Sequence, residues 1–447
     1  MIEQQYIDLY DQHKNTINRH SAETLNACRE KAFNDFVKLG FPTTDNERYK
    51  YTDVRKTFEP NFGLNLERLA IPVNPYEAFH CDVPNLSTHL YFIENDSFYD
   101  TNSTSSKLPE GVLLGSLKNF AQSHPKLLAN YYGKLADTSL DGTVAFNTLF
   151  AQDGFFLYIP ENTILEHPIQ LVNLFRSDVD FLANRRLLVI LEDNAQAKLL
   201  LCEHAMDNRQ FLATQVIEAF VGKNSVFDLY ELEANHEKTT RINSVFVSQQ
   251  KSSNVLLNGI TLNSGLTRNN YFVSLLGQHA ETHLYGMAIA DENQRVDNFS
   301  SIDHAVPDCT SNELFKYILD DRAIGAFCGE IVVRKDAQKT QAYQSNKNIC
   351  LTREAKMHTK PQLEIYADDV KCSHGATVGQ LNENALFYLR SRGISEKEAR
   401  TLLMFAFVAD VIENVRLDGL QERLSKLIDK RFRGEIGKCR GCASCSL

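Results

Sequence analysis

The chain has 447 residues, 43% of them hydrophobic and 23% charged, and a formal net charge of −10. Such a length predicts two or three domains, and the charge excludes a broad nucleic-acid or anionic-lipid surface, which needs a basic patch. No apolar run approaches the ~20 residues that span a bilayer, so no membrane is expected. Met1 to Asp11 is polar and acidic, unlike a secretory signal or an Arg-rich transit peptide. A cytoplasmic location follows, in which the ten cysteines are reduced thiols rather than a disulfide framework.

Residues 1–135 are expected to form an N-terminal helical and mixed domain. Ile17, Ala22, Leu25, Ala27, Cys28, Ala32, Phe33, Phe36 and Val37 recur at helical spacing until Gly40-Phe41-Pro42 stops the run. Asn46 to Asp53 reads as a basic-aromatic loop end. Six of the eleven prolines fall between positions 42 and 109, which predicts irregular structure, and Ser103 to Ser106 reads as a flexible loop.

Residues 136–375 change texture. Short β-rich runs begin at Val144–Phe150 and continue through Phe155–Ile159, Ile169–Phe175 and Leu187–Leu191 to His283–Ile289 and Ile331–Val333. No proline stands between Pro168 and Pro307, as suits a continuous hydrogen-bonded stack whose strands cannot spare an amide donor. The spacing allows a sandwich, a propeller or a solenoid; without Trp or a blade-length repeat, it leans toward a solenoid. Residues 376–434 read as a C-terminal helical domain. Ser395 to Glu398 is a capping box. Behind it Leu402, Leu403, Phe405, Ala406, Ala409, Ile412 and Val415 form a wide apolar face, and Leu420, Leu424, Leu427 and Ile428 form another.

Pro361 to Ile394 concentrates the chemistry. Read as one extended strand, Leu363 and Ile365 share a face, and so do Val370, Cys372 and His374. A thiol and an imidazole then lie about 7 Å apart, and both are ligands of soft metals. Packing is the plainer reading of such a pair. His279, Glu281 and His283 would also share a face if extended, as a metal site or as a solvated polar face. Cys439, Cys442 and Cys445 form two overlapping Cys-x-x-Cys steps in the tail, 435–447. They fit either zinc or an iron–sulfur cluster with one position open, or a redox-sensitive disordered tail. A P-loop is excluded, because Ile217 stands where Gly222-Lys223 would require the first glycine. Neither a Gly-x-Ser-x-Gly elbow nor a His-Glu-x-x-His motif is present.

The words of this region carry a resemblance. Leu363-Glu-Ile-Tyr-Ala-Asp-Asp-Val-Lys-Cys372-Ser-His374-Gly-Ala-Thr-Val-Gly-Gln-Leu381, followed by Leu386 to Ile394, resembles the SufB/SufD family of iron–sulfur cluster assembly proteins. Cys372-Ser-His374-Gly matches the SufD branch; the SufB branch reads His-Glu-Ala there. Tyr49 to Thr52, Ser301 to Leu314, Phe327 to Ile331 and Ala337 to Asn346 resemble further family segments, and their Gln and Asn residues are expected to bond the turns between rungs.

The resemblance implies a right-handed parallel β-helix flanked by N- and C-terminal helical domains, and a non-catalytic SufD-like scaffold. It implies pairing with a SufB-type scaffold through the β-helix and docking of a SufC-type ATPase near residues 382–434. By position it brings Cys372 and His374 to a transient iron–sulfur cluster or iron shared with SufB, with none tightly bound in the isolated chain. Closure of two ATPase subunits would open or shear that interface. The family pattern leaves the tail cysteines unassigned. Alternatives are a SufB-type scaffold, a homodimeric variant, and a self-contained metal-thiolate protein using the tail; a β-helix carbohydrate enzyme would carry clustered acids and usually a secretion signal.

Overall fold

The computed structural model describes residues 2–69, 74–78, 89–100 and 108–435. The Ser103–Ser106 loop and Cys439, Cys442 and Cys445 lie outside them. Strands β1 (His89–Glu94), β2 (Ser97–Phe98) and β3 (Leu113–Ser116) precede β4 (Phe155–Ile159), β5 (Ile169–Phe175), β6 (Phe181–Leu191), β7 (Gln196–Ala205) and β8 (Phe211–Val221). They continue as β9 (Val226–Ala234), β10 (Thr239–Gln249), β11 (Asn254–Asn263), β12 (Leu266–Leu275), β13 (Glu281–Ala290) and β14 (Arg295–His304). The series ends with β15 (Thr310–Leu319), β16 (Ile324–Val333), β17 (Gln341–Cys350), β18 (Lys356–Ile365) and β19 (Lys371–Gly379).

Consecutive strands from β4 onward go to opposite sheets. Odd strands β5 to β19 pair in parallel within a ten-stranded sheet that β1 and β2 extend, and even strands β4 to β18 form a nine-stranded sheet that β3 extends. The result is a parallel β-solenoid of about eight turns. Gln196 pairs with Val226, then Asn254, Glu281, Thr310, Gln341 and Lys371, so a turn takes 27 to 31 residues in this column. The stacking needs the same corner at every turn. Asn194, Asn224, Ser252, His279, Asp308 and Lys339 each adopt a left-handed φ between 56° and 64° there. Backbone N–H groups cross to the next turn, as from Asn224 to the Lys251 carbonyl at 2.9 Å. Among residues with a side chain, Asn and Asp tolerate this conformation best, and the Asn162–Asn194–Asn224 side chains bond one another in a ladder at 2.9 and 3.0 Å.

Leu, Ile, Val and Phe side chains fill the lumen, among them Leu199, Leu229, Leu257 and Leu284 stacked in one column. Two helical layers cover the outer faces. Helices α1 (Ile2–Arg19), α2 (Glu23–Asn26) and α3 (Arg29–Leu39) come before the short α4 (Pro75–Ala78). Helices α5 (Leu117–Ser123), α6 (Pro125–Tyr131) and α7 (Gly142–Phe150) follow it. An aromatic cluster of Tyr6, Phe36, Phe41, Phe58, Phe146 and Phe150 packs with Leu182, Leu212 and Ile242 of the even sheet. On the odd sheet, α9 (Glu396–Glu413) and α10 (Asp418–Phe432) bury Met404, Val408, Val411, Leu420, Leu424 and Ile428 against Leu200, Leu256, Met287 and Ile318. A shorter α8 (Glu383–Ser391) precedes them.

Three sequence-based expectations change. Val144–Phe150 is helical, not β. Asp141 caps it by accepting the Thr143 N–H at 2.8 Å, and because every residue of α7 is buried, the run shows no amphipathic period to separate it from a core strand. The extension from Leu363 to His374 is broken at 366–370, so Leu363 and Cys372 belong to different sheets. Gln344 and Asn346 lie buried within β17 rather than in turns.

One ion pair fastens the N-terminal layer to the solenoid. Arg186 of β6 meets Glu218 of β8 at 2.5 Å with neither side chain more than 1% exposed, and Glu218 also accepts the backbone N–H groups of Gly133, Leu135 and Ala136 at 2.9, 2.9 and 3.1 Å. Changing Glu218 to Ala strands a buried guanidinium, so a loss of ~3–5 kcal/mol in equilibrium denaturation is expected. Replacing both partners (Arg186→Met with Glu218→Leu) should recover part of it; an unchanged midpoint for Glu218→Ala would contradict this role.

Candidate functional site at the open end of the solenoid

Among the described residues the solenoid ends without a cap. Strand β18 pairs only with β16, and β19 only with β17. Neither last strand contains a buried residue, whereas β16 is buried along most of its length. Each therefore presents an edge of unpaired backbone donors and acceptors, the usual template for a further strand. Pro361 removes one donor from β18, and β19 has no proline. A methyl group placed on Gly375 or Gly379 would meet nothing within 4 Å, which leaves the β19 side open to approach.

Cys372 and His374 sit on this last strand. By register Cys372 stacks on Ala342 and His374 on Gln344, both buried in the lumen. The pair thus belongs to the inward row, yet no described strand lies beyond it. Cys372 is half-buried against the lumen core, whereas His374 is exposed. The two residues do share one face, as the alternation within β19 requires. Burial pushes the Cys372 thiol above its ordinary value, partly offset by a backbone hydrogen bond from Ala342. A thiol so placed becomes a good ligand only once a metal or a base displaces its proton. Among the described residues no group of three or more His, Cys, Asp or Glu side chains could hold a metal ion. Two donors at an open edge make a partial site, one that a second surface would have to complete.

The His279–Glu281–His283 face does not form. His279 occupies a left-handed corner (φ 64°) outside β13, while His283 Nε2 donates to Glu281 Oε1 (2.8 Å) and its Nδ1 meets the Tyr285 hydroxyl (3.0 Å). Both ring nitrogens are thereby engaged.

Sequence reasoning gave two features no structural role. The Tyr49–Thr52 segment is a clamp along the outer face of the even sheet. Tyr49 donates to Asp141 at 2.6 Å, Thr52 to Asp297 at 2.6 Å, and Arg268 lies 4.4 Å over the Tyr49 ring. Tyr51 stacks on His358 of β18 at 4.3 Å, and Glu47 bonds Lys360, so the clamp reaches the last turn. The second feature is Glu313, 3% exposed in the lumen, which accepts from Ser300 and from Gln344 (2.6 Å). Its signal was parity: Glu313 shares a strand face with Phe315 and Tyr317, both lumen residues.

The comparisons with known proteins fit this geometry. Residues 175–407 match the family model described as the SUF system FeS cluster assembly SufBD core domain, and residues 1–171 match the SufBD protein N-terminal region. The chain belongs to the SufBD family. It is 31% identical over 417 residues to an iron–sulfur cluster assembly SufBD family protein of Synechocystis, covering 90% of each chain. It is 38% identical over 173 residues to the iron–sulfur cluster assembly protein SufD of Escherichia coli, covering 39% of this chain and 41% of that one. A chloroplastic protein of Arabidopsis thaliana, ABCI7, is 30% identical over 407 residues, 88% of this chain and 83% of that one. No described helix of this SufBD protein is long and apolar enough to cross a membrane.

Burial raises the Glu313 carboxyl to about 7. Between the unfolded value near 4.5 and about 7 the folded state binds the extra proton, so this group's contribution to stability falls as pH rises through that window. The stability of the wild type relative to Glu313→Gln should therefore drop by up to ~3 kcal/mol from about pH 4.5 to 7.5, read by denaturation at each pH. A pH-independent difference would refute the assignment.

Proposed function

We propose that this SufBD protein is a SufD-type scaffold subunit without catalysis of its own, pairing with a SufB-type partner through the open end of its solenoid. The observation that carries the reading is the uncapped last turn. It combines a free β edge with two soft-metal donors, Cys372 and His374, on the inward row that the open end leaves uncovered. A partner solenoid that pairs its own last strand with β19 would bring further ligands within reach, and the nascent iron–sulfur cluster or iron would be held by both chains. Few ligands and an exposed edge favour release of this cargo over storage, so little iron is expected on the isolated chain. The family's place in iron–sulfur cluster assembly supports the reading, as does the Cys372-Ser-His374-Gly sequence.

The same reading gives the C-terminal helices a second task. Helices α9 and α10 spend one face on the odd sheet, but Phe387 and Tyr388 of α8 and Leu402 of α9 remain 75%, 57% and 44% exposed. Apolar side chains of this size gathered near residues 382–434 suit docking of a SufC-type ATPase. Movement of docked ATPase subunits would then strain the shared edge and open it. A homodimer through β19 is the alternative pairing, and the cytoplasm is the expected compartment. The tail cysteines, Cys439, Cys442 and Cys445, take no part in this proposal.

In a complex with a SufB-type scaffold and a SufC-type ATPase, Cys372→Ala or His374→Ala should leave melting temperature and co-purification intact. Cluster assembly, followed by absorbance under anaerobic conditions with iron and sulfide supplied, should fall about ten- to a hundredfold. Should His374→Ala melt early and still assemble clusters normally, the pair is structural. Separately, Phe387→Asp with Leu402→Asp should abolish co-purification of the ATPase while sparing the fold; undiminished binding would remove α8 and α9 from the docking surface.

A further inference from the structure

One column of the lumen leads straight to the open end. Parallel register stacks Glu313 on Gln344 and Gln344 on His374. The first two are each 3% exposed. Glu313 accepts from the Ser300 hydroxyl and from Gln344 Nε2 at 2.6 Å, and no cationic side chain bonds or pairs with it among the described residues. The other lumen acids differ: Glu203 has Arg185, and Glu231 has Arg241.

The carboxyl fixes which way the Gln344 amide points. An amide whose nitrogen donates to an acid must turn its carbonyl oxygen elsewhere. That oxygen, Oε1, is buried and bonds no described residue, His374 included. A buried acceptor left without a donor is costly and uncommon. Room for this arrangement comes from Gly329, on the facing strand β16. A Cβ there would lie 2.2 Å from Gln344 Nε2, so the amide fits only because that position lacks a side chain. The next side chain along the column is His374, one strand spacing of ~4.8 Å away.

We propose that Glu313 and Gln344 are a positioning pair for His374. When the exposed ring of His374 turns toward the column, Gln344 Oε1 accepts the N–H of one imidazole nitrogen, which fixes the tautomer and aims the lone pair of the other nitrogen out of the open end. Glu313 holds the amide so that it offers oxygen rather than nitrogen. This is the arrangement by which outer groups commonly orient a metal-binding histidine. The inference rests on the reading of His374 as a cluster-site residue, but its test does not.

The test uses the full chain with ¹⁵N-labelled histidine at about pH 8.5, where imidazole is neutral. With 13 histidines in the chain, His374→Gln identifies the signal by difference. In the wild type one tautomer of His374 should exceed its share in Gln344→Leu by about fivefold, the size of one net hydrogen bond. Exchanging the pair, Glu313→Gln with Gln344→Glu, should restore the wild-type ratio: the new amide donates to the new carboxylate, whose second oxygen accepts from His374. Equal ratios in the wild type and Gln344→Leu would overturn the proposal. If Gln344→Leu does not fold, the exchange decides alone: a folded exchange variant that keeps the ratio supports the pair, and one that loses it refutes it. Because no cluster is needed, this outcome is independent of whether His374→Ala impairs assembly.

Discussion

Every feature of this molecule depends on the parallel register that its two sheets keep through the solenoid, apart from a shift between Thr261 and Asn263 of β11. From Gln196 to Lys371 each turn places its strand residue on residue over the one before. This makes columns, and the columns set the chemistry. A leucine column excludes water at the start of the lumen and gives way to Glu313, Gln344 and His374 at its end. The register in turn depends on corners that only a left-handed residue can close. Where the chain places His279 or Lys339 rather than Asn at such a corner, the stack imposes the conformation against local preference.

The helical layers explain why the stack terminates where it does. Arg186 and Glu218 fix the N-terminal layer, whereas Arg431 forms a bidentate pair with Asp291 at 2.7 Å and Arg416 meets Asp228 at 3.0 Å to fix the C-terminal one. These anchors lie on earlier turns. Strands β18 and β19 are left with no fully buried residue, so the last turn rests on its ladder, on partly buried Met357, Leu363 and Cys372 against the lumen core, on the Tyr51–His358 stack and on the Glu47–Lys360 pair. An edge held this way can exchange one neighbour for another without disturbing the core.

Much of this was legible in the sequence, for definite reasons. The proline-free tract and short β runs indicated a stack, and Ser395, which does accept the Glu398 N–H at 3.2 Å, marked the start of α9. The sharing of a face by Cys372 and His374 followed from alternation alone. Polar lumen residues hid the rest. Asn298, Glu313, Gln344 and Asn346 point inward, which breaks the rule that inward positions are apolar and made β14, β15 and β17 read as connecting segments. The Tyr49–Thr52 clamp was invisible because its partners, Asp141, Arg268 and Asp297, are distant in sequence and converge only after stacking.

That clamp also bears on the order in which the chain is made. Glu47 bonds Lys360, its neighbour in space but 313 residues later in the chain. The first turns of the solenoid can stack as they leave the ribosome, since each needs only the turn before it. The Glu47 end of the clamp cannot close until β18 has emerged. Loops of that length are slow to close and leave their apolar partners waiting. The clamp therefore closes late in synthesis, when one of the oldest segments of the polypeptide meets a strand of the very turn that carries the open edge.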